Sequence, residues 1–173
     1  MIRRALPQEL PAILRLYAKA RSFMAEQGNP TQWGKSSPAQ NVLEEDIRKQ
    51  QLYICERDGR LCGVFAFPIG EDPAYRRVEG GSWLSDSSYG TIHRLAGERT
   101  EKGIFEECLS WCRSRIGHIR IDTHEDNRIM RHLIEKNGFV RCGIIHVADG
   151  SPRIAYEWEA PAELKEAPAW RKE

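Results

Sequence analysis

The sequence lacks the features that mark several large classes of protein. Its 173 residues carry 26 basic and 25 acidic side chains, a net charge of +1. This balance gives no electrostatic reason to expect nucleic acid or a membrane as a partner. No apolar run approaches the roughly 20 residues of a transmembrane helix, and the opening residues MIRRALP lack a signal-peptide core. We therefore expect a cytoplasmic protein.

Cysteine is present, but not in the patterns of a disulfide framework or a metal site. The five cysteines are an odd number and none lies in a Cys-x-x-Cys motif. They occur in apolar strands or on a helix face, which is typical of reduced, buried thiols. Cys108 and Cys112 share a predicted helix face, but no second Cys or His pair stands at a matching spacing. We therefore expect no metal.

Length and composition favour one domain with a substantial core, because 40% of the residues are hydrophobic and 29% are charged. We predict a single domain over residues 1–159 and a polar tail over residues 160–173. Hydrophobic spacing predicts helices over residues 8–27, 39–49, 104–116 and 127–137. Short apolar runs and turn signals predict strands over residues 2–6, 52–56, 61–69, 92–96, 119–123, 140–147 and 153–158. The order β-α-α-β-β-β-α-β-α-β-β indicates an α+β fold with a mixed central sheet flanked by helices.

The most informative stretch of the chain is residues 93–139. Within it, a charged loop over residues 97–103 lies between a predicted strand and a predicted helix. Such a loop can bind phosphate, because free N–H groups and the helix dipole meet there. Gly103 lets the backbone come close to a ligand, and Arg99 and Lys102 offer positive charge. The stretch therefore indicates a phosphorylated cofactor, although a solvated turn would have a similar composition.

Three segments resemble the GNAT N-acetyltransferase family, and the element order resembles its fold. The first is the strand, loop and helix over residues 94–105. The second is Ile121-Asp122-Thr123-His124-x-x-Asn127-x-x-Met130, with Gly138-Phe139 in phase, and the third is Gln32-Trp33 after the first helix. The resemblance covers residues 2 to about 158. It implies an enzyme that transfers an acetyl group from acetyl-CoA, as co-substrate, to a primary amine of a small molecule by direct attack in a ternary complex.

The resemblance also implies which residues hold the cofactor. The fourth strand of the family bulges and leaves backbone N–H groups facing the cofactor arm, the following loop cradles the pyrophosphate, and the second motif reaches the pantetheine arm or a phosphate. The alternatives are an ordinary strand end, a solvated turn, a helix cap at Asn127 and a solvated Arg131. The predicted cofactor-binding residues are Leu95, Ala96, Gly97, Arg99, Lys102, Gly103, Ile104, Asn127 and Arg131.

His93 is the predicted catalytic base, because histidine titrates near neutral pH and this one lies on the strand that would present the thioester. Strict alternation along the strand places His93 on the same face as Leu95. Glu98 and Asp122 are competing bases, and a partly buried histidine bonded to a carbonyl is the structural alternative. Trp33 and Tyr89 are predicted to line the acceptor pocket by stacking or cation–π contact, with ordinary core packing as the alternative.

Two departures from the family pattern favour a second hypothesis. Many relatives carry a general-acid tyrosine on the second helix of the motif, and Ile134 occupies that position here. Of the family's loop pattern only the central glycine is retained, at Gly103, and Phe105 stands where the family usually has glycine or alanine. The second hypothesis is a CoA-binding or sensing module with little or no turnover. Neither the acceptor amine nor the oligomeric state is indicated, and a homodimer is a possible assembly.

Overall fold

A computed structural model of the protein describes residues 1–162, which form seven strands and four α-helices in the predicted order. The strands are β1 (Ile2–Arg4), β2 (Leu52–Arg57), β3 (Arg60–Ala66), β4 (Gly90–Gly97), β5 (His118–Thr123), β6 (Val140–His146) and β7 (Pro152–Glu159). The helices are α1 (Leu10–Glu26), α2 (Gln40–Arg48), α3 (Ile104–Arg113) and α4 (Arg128–Lys136), with short 3-10 turns at Pro7–Glu9 and Pro73–Tyr75.

The strands pair in the order β1-β2-β3-β4-β5-β7-β6, and every pair is antiparallel except β4 with β5. This mixed sheet with helices confirms the predicted fold class. The chain divides into two compact units: Met1–Phe67 with His93–Cys108, and Pro68–Ile92 with the described residues from Leu109 onward. Strand β4 contributes residues to both. The single domain over residues 1–159 stays a prediction, and most of the predicted tail, residues 163–173, lies outside the described residues.

The first unit is built on the β2–β3 hairpin, which turns at Asp58 and Gly59. Both residues have positive φ angles, 49° and 71°, as the two-residue turns of hairpins require. Helix α1 packs against β3 and α2 against β2. The face of α1 toward the sheet carries Ile13, Leu16 and Tyr17, all buried, because residues three and four apart share one side of a helix.

The second unit contains the loop over residues 68–89, which is packed into the unit's core. The loop supplies the buried rings of Tyr75 and Tyr89, which pack with Ile145 of β6 and Ala155 of β7. Glu79 also forms an isolated bridge to Ile144 of β6, with two backbone hydrogen bonds of 2.8 Å. The loop, whose length suggests a functional segment, therefore has a clear structural role.

Several element boundaries differ from the predicted ones, and three of the differences have local reasons. Strand β3 ends at Ala66 rather than residue 69, because Pro68 has no N–H to donate. Phe67, just before it, still donates its N–H to Gln51 O. Helix α3 ends at Arg113 rather than residue 116, where the Ser114 hydroxyl donates to a backbone carbonyl of the last turn. Helix α1 begins at residue 10, after the 3-10 turn.

All five cysteines are buried and free, as the sequence indicates. Over residues 1–162 there is no group of three or more His, Cys, Asp or Glu side chains placed to hold a metal ion. Within the same range no helix combines the length and apolar character that crossing a membrane requires.

Candidate active site

A β-bulge interrupts β4 in the first unit. Ala66 of β3 pairs with His93 and Val64 pairs with Ala96, so that Arg94 and Leu95 together stand opposite the single residue Phe65. Arg94 has a φ of 54°, a left-handed conformation that side chains other than glycine rarely adopt. A bulge releases backbone groups from the ladder. Here it comprises Arg94 and Leu95, whereas Ala96 and Gly97 are paired with Val64 and Gly63, and the cofactor roles of Leu95, Ala96 and Gly97 stay predictions.

Arg94 is held at both its backbone and its side chain. The Tyr17 hydroxyl of α1 donates to Arg94 O at 2.7 Å, and Arg94 Nη2 donates to Asp46 Oδ2 of α2 at 2.6 Å. Tyr17 and Asp46 are both buried, and burial raises the pKa of the Tyr17 hydroxyl above its ordinary value, which keeps it a donor. Gln51 donates to the other Asp46 oxygen at 2.8 Å. Both carboxylate oxygens of Asp46 are thereby satisfied.

The loop over residues 97–103 contains acidic as well as basic residues, and its carboxylates are paired. Lys19 of α1 lies 2.8 Å from Glu98. Arg57 of β2 donates to Glu101 at 3.0 Å and to Glu107 at 2.7 Å, and its hydrogen bonds hold the pKa of Glu107 below its ordinary value. These pairs offset the negative charge that would otherwise oppose a phosphate at this position.

The start of α3 is shaped to receive an anion. Gly103 has a φ of 74°, and no atom lies within 4 Å of the position that a Cβ would occupy there. Glu107 donates the first helical hydrogen bond, to Gly103 O at 3.0 Å. The N–H groups of residues 104–106 have no acceptor inside a helix that begins here. The backbone of this turn therefore fits a pyrophosphate group.

The two predicted phosphate-binding cations differ in their surroundings. The Arg99 guanidinium lies 4.8 Å from the centre of the Phe23 ring and 3.6 Å from Glu26, both on α1. This geometry favours a helix contact for Arg99 over a phosphate contact. Lys102 is exposed, and its backbone carbonyl accepts a hydrogen bond from Arg57 at 3.0 Å. Lys102 is thus the better placed of the two.

Ile104, also predicted to bind the cofactor, has a packing role. It is buried, and its side chain lies against two glycines of the sheet. A Cβ at Gly63 would come within 2.7 Å of Ile104, and one at Gly97 within 3.1 Å. The missing side chains therefore allow α3 to begin close to β3 and β4, which brings its first turn next to the bulge.

His93, the predicted base, is half-buried and is the residue immediately before the bulge. The bulge interrupts the alternation of side chains along β4. Strict alternation therefore cannot be used to place His93 and Leu95 on one face, because it assumes a regular strand. The catalytic role of His93 stays a prediction.

Trp33, one of the two predicted acceptor-pocket residues, lies in the loop between α1 and α2. It is half-buried and packs edge-to-face against Tyr17, with ring centroids 5.5 Å apart. Trp33 also packs on the core of the first unit, as its core-packing alternative allows. Its remaining exposed surface, in contact with the tyrosine that holds the bulge, is compatible with an acceptor role.

In the second unit, Asn127 and Arg131 lie at the start of α4. Asn127 caps the helix, with its side-chain oxygen accepting from Met130 N at 3.1 Å. Arg131 Nη1 donates to Glu125 O at 3.1 Å and so closes the turn between β5 and α4. Asn127 thus has the capping role that the sequence allows as an alternative, whereas Arg131 makes a turn contact rather than being the solvated side chain of its alternative. The cofactor roles of both residues stay predictions.

Tyr89, the second predicted acceptor-pocket residue, belongs to the core of the second unit. It is only 7% exposed, and its hydroxyl accepts from Asp72 N at 2.9 Å. The Arg120 guanidinium lies 4.0 Å from the centre of the Tyr89 ring and 3.9 Å from that of Trp83. This burial between partners of its own unit favours the core alternative, and the acceptor-pocket role of Tyr89 stays a prediction.

A buried carboxylate completes the surroundings of Arg120. Glu157 of β7 accepts from Arg120 Nε at 3.2 Å and also contacts His118 and the N–H of Leu84. Burial alone would raise the pKa of Glu157, but these donors together hold it below its ordinary value. The network attaches the loop over residues 68–89 to β5 and β7 within the second unit.

The other candidates for acid–base chemistry have structural partners. The Tyr75 hydroxyl donates to Asp122 Oδ2 at 2.6 Å, which occupies one oxygen of that competing base. Ile134, where many relatives of the predicted family carry tyrosine, is fully buried. Glu98 is paired with Lys19. Of the predicted bases, His93 alone lies beside the bulge.

Sequence reasoning missed Tyr17, Asp46 and Arg57, which position the bulge and the loop. Tyr17 lies on the buried face of α1. Its contact with Arg94 joins residues 77 apart in the sequence, and the Asp46–Arg94 contact joins residues 48 apart. The one local signal is Asp46 itself, a carboxylate on the inward face of a short helix, where a buried charge requires a partner.

Solved structures with the same fold are readily found. One is a GNAT-family acetyltransferase from Streptococcus agalactiae 2603, with 30% sequence identity and a TM-score of 0.84 over 93% of this chain and 95% of that one. Another is a GNAT-family acetyltransferase from Listeria monocytogenes 4b F2365, with 20% identity and a TM-score of 0.69 over 92% and 94%. A chain of the NatC complex, solved with a Gag peptide and CoA, shares the fold at 14% identity and a TM-score of 0.61 over 93% and 98%.

Comparison with protein-family models and with curated proteins finds no match. The assignment therefore rests on structure together with the identity to the streptococcal protein, which extends over nearly the full length of both chains. The fold includes the bulged fourth strand that the resemblance implies, and a glycine turn precedes α3. The chain belongs to the GNAT family of acetyltransferases.

Proposed function

We propose that the protein transfers an acetyl group from acetyl-CoA to a primary amine of a small molecule. The observation that carries the proposal is the bulge of β4 directly before a glycine turn and the start of α3, in a chain of the GNAT family. The bulge offers backbone groups for an amide-containing arm, and the turn offers N–H groups for a pyrophosphate. CoA has both chemistries, in that order along its length.

The residues of this chain then have distinct tasks. Acetyl-CoA supplies the activated acetyl group. The backbone of Leu95, Ala96 and Gly97 binds and orients the cofactor arm, and the turn at Gly103 with Lys102 binds the pyrophosphate. His93 takes a proton from the acceptor ammonium, directly or through water, so that a neutral amine is available to attack.

Calorimetry with acetyl-CoA, followed by thiol release across a panel of small primary amines, tests the proposal. We expect saturable binding in the micromolar range, as is common for enzyme substrates, and thiol release with at least one amine. Absence of acetyl-CoA binding by the folded protein would sink the proposal.

Replacing His93 by alanine tests its role as the base. We expect kcat to fall roughly a hundredfold or more, the usual contribution of a general base, with the acid limb of the pH–rate profile lost and acetyl-CoA binding unchanged. His132, exposed on α4, provides a matched control as His132→Ala. An unchanged rate in His93→Ala would show that another group accepts the proton.

A second candidate function is CoA binding with little or no turnover. It is favoured by the buried Ile134 at the position of the general-acid tyrosine and by Arg99 lying against α1. This candidate expects the same calorimetric binding but no thiol release with any amine of the panel. Thiol release across the amine panel therefore distinguishes the two candidate functions.

A further inference from the structure

Arg94 is an arginine in a conformation that favours glycine, at the centre of the bulge. A left-handed backbone is strained for a residue with a side chain, so the surroundings must impose it. The contacts that do so are the Tyr17 hydroxyl on Arg94 O and the Asp46 carboxylate on the Arg94 guanidinium. Both come from helices, and neither comes from a neighbouring strand.

The two contacts act on different parts of the same residue. Tyr17 binds the carbonyl and so fixes the peptide plane between Arg94 and Leu95. Asp46 binds the side chain and so fixes the direction of Cβ. Asp46 is 3% exposed and Tyr17 is fully buried, which means that water does not readily replace either partner. A bulge held in this way has one conformation before any ligand arrives.

We infer that Tyr17 and Asp46 are positioning residues for acetyl-CoA, acting through Arg94 on the bulged backbone of β4. The inference rests on the proposed function and deepens it. Because the helices α1 and α2 hold the backbone that binds the cofactor arm, loosening either contact weakens donor binding. The acceptor amine is predicted to meet Trp33 and His93 rather than this backbone, so we expect its KM to change far less than that of acetyl-CoA.

The first test is Tyr17→Phe, which removes one oxygen atom and leaves the ring in the core. We expect the KM and the Kd for acetyl-CoA to rise about fivefold, the equivalent of one ordinary hydrogen bond, while the acceptor KM stays within about twofold. Ser22→Ala is the matched control, since it removes a hydroxyl of α1 that bonds only within the helix, to Ala18 O.

The second test is Asp46→Asn, which keeps the shape of the side chain and removes its charge. We expect a loss of acetyl-CoA affinity of about tenfold, because hydrogen bonds to charged groups are stronger, and less than additive effects in the double variant with Tyr17→Phe. Glu45→Gln, on the exposed side of the same helix, is the control. If Asp46→Asn does not fold, Arg94→Lys tests the same contact.

A truncated donor separates positioning from a general loss of the site. Acetyl-pantetheine lacks the nucleotide and pyrophosphate, so Tyr17→Phe weakens its binding by the same factor as that of acetyl-CoA, whereas Lys102→Ala weakens acetyl-CoA alone. If Tyr17→Phe and Arg94→Lys lower the melting temperature but leave both donors bound as in the wild type, the inference is wrong. Failure of the wild type to bind acetyl-CoA would instead overturn the proposed function.

Discussion

The buried carboxylates Glu157 and Asp46 lie beside cationic or hydrogen-bond-donating partners. Glu157 meets His118, Arg120 and the N–H of Leu84 within the second unit, and Asp46 meets Arg94 in the first. Removing one member of such a group leaves a buried charge without compensation, which lowers the free energy of unfolding by about 3–5 kcal/mol. Substitutions at these residues should therefore be conservative in shape whenever function is the quantity measured.

The cysteine thiols should be unreactive in the folded protein. Burial, and to a smaller extent the nearby Glu107, raises the pKa of Cys55 to about 11. Burial, and to a smaller extent Glu157, raises the pKa of Cys142 to about 11. Burial also raises the pKa of Cys62 and Cys108. A raised pKa leaves little thiolate at about pH 8, and the thiolate is the reactive form.

A disulfide reagent that releases a coloured thiolate measures this directly. We expect slow, sub-stoichiometric reaction in native buffer and rapid reaction of all five thiols in guanidinium chloride, with the native rate rising as the pH is increased. Fast stoichiometric modification of one native thiol would contradict the burial that the structure shows.

At the scale of elements, the loop over residues 68–89 depends on close backbone contact with β6. A Cβ at Gly81 would lie 2.0 Å from Cys142 O, which is a backbone atom that cannot rotate away. We expect Gly81→Ala to lower the free energy of unfolding by about 3 kcal/mol, measured by urea denaturation. The loss of stability would come from disturbed packing between the loop and β6 in the second unit.

The neighbouring Gly80 supplies the control for that prediction. Its φ is 70°, but nothing lies within 4 Å of its Cβ position. Gly80→Ala therefore carries only the backbone cost, about 1 kcal/mol. Equal effects of the two substitutions would mean that the loop does not contact β6 as described.

Strand β4 shows where prediction from sequence reaches its limit at this scale. Its existence follows from the run of β-branched and apolar residues, and the loop and helix after it follow from glycine and helical periodicity. The bulge follows from the family resemblance but not from local pattern, and the residues that contact it, Tyr17 and Asp46, lie in distant parts of the chain. Local pattern carries no information about contacts made across 48 or 77 residues.

At the scale of the whole molecule, several carboxylates stabilise the folded state only while ionised. Arg3 holds the pKa of Glu9 below its ordinary value, Arg57 does so for Glu107, and the His118 network does so for Glu157. A folded-state pKa below the unfolded one means that the contribution is present above the unfolded pKa of about 4.3 and is lost as pH falls through the folded pKa.

We therefore expect the free energy of unfolding to be steady near neutral pH and to fall progressively below about pH 5. Urea denaturation at a series of pH values measures it. Glu107→Gln should flatten the acid side of the curve, at the expense of stability near neutral pH. A protein whose stability rose on acidification would show that these ion pairs are not formed in solution.

The order of elements and the family were predictable from the whole chain, but the assignment of individual site residues was less so. The hydrophobic periodicity and the motif over residues 121–130 are local patterns, so they can be recognised in the sequence without knowledge of packing. The contacts of Tyr89 and Arg99 were not predictable, because the sequence does not distinguish an exposed aromatic or cation beside a loop from one that packs against distant residues. In the structure those partners are Arg120 for Tyr89 and Phe23 for Arg99.

The way in which the chain alternates between the two compact units limits how the gene could be divided. The chain passes from one unit to the other after Phe67, again within β4 after Ile92, and again within α3 after Cys108. Neither unit is therefore a continuous stretch of polypeptide, and no single truncation releases one of them intact. Any engineered split, circular permutant or domain graft that respected the units would have to cut through a strand or a helix.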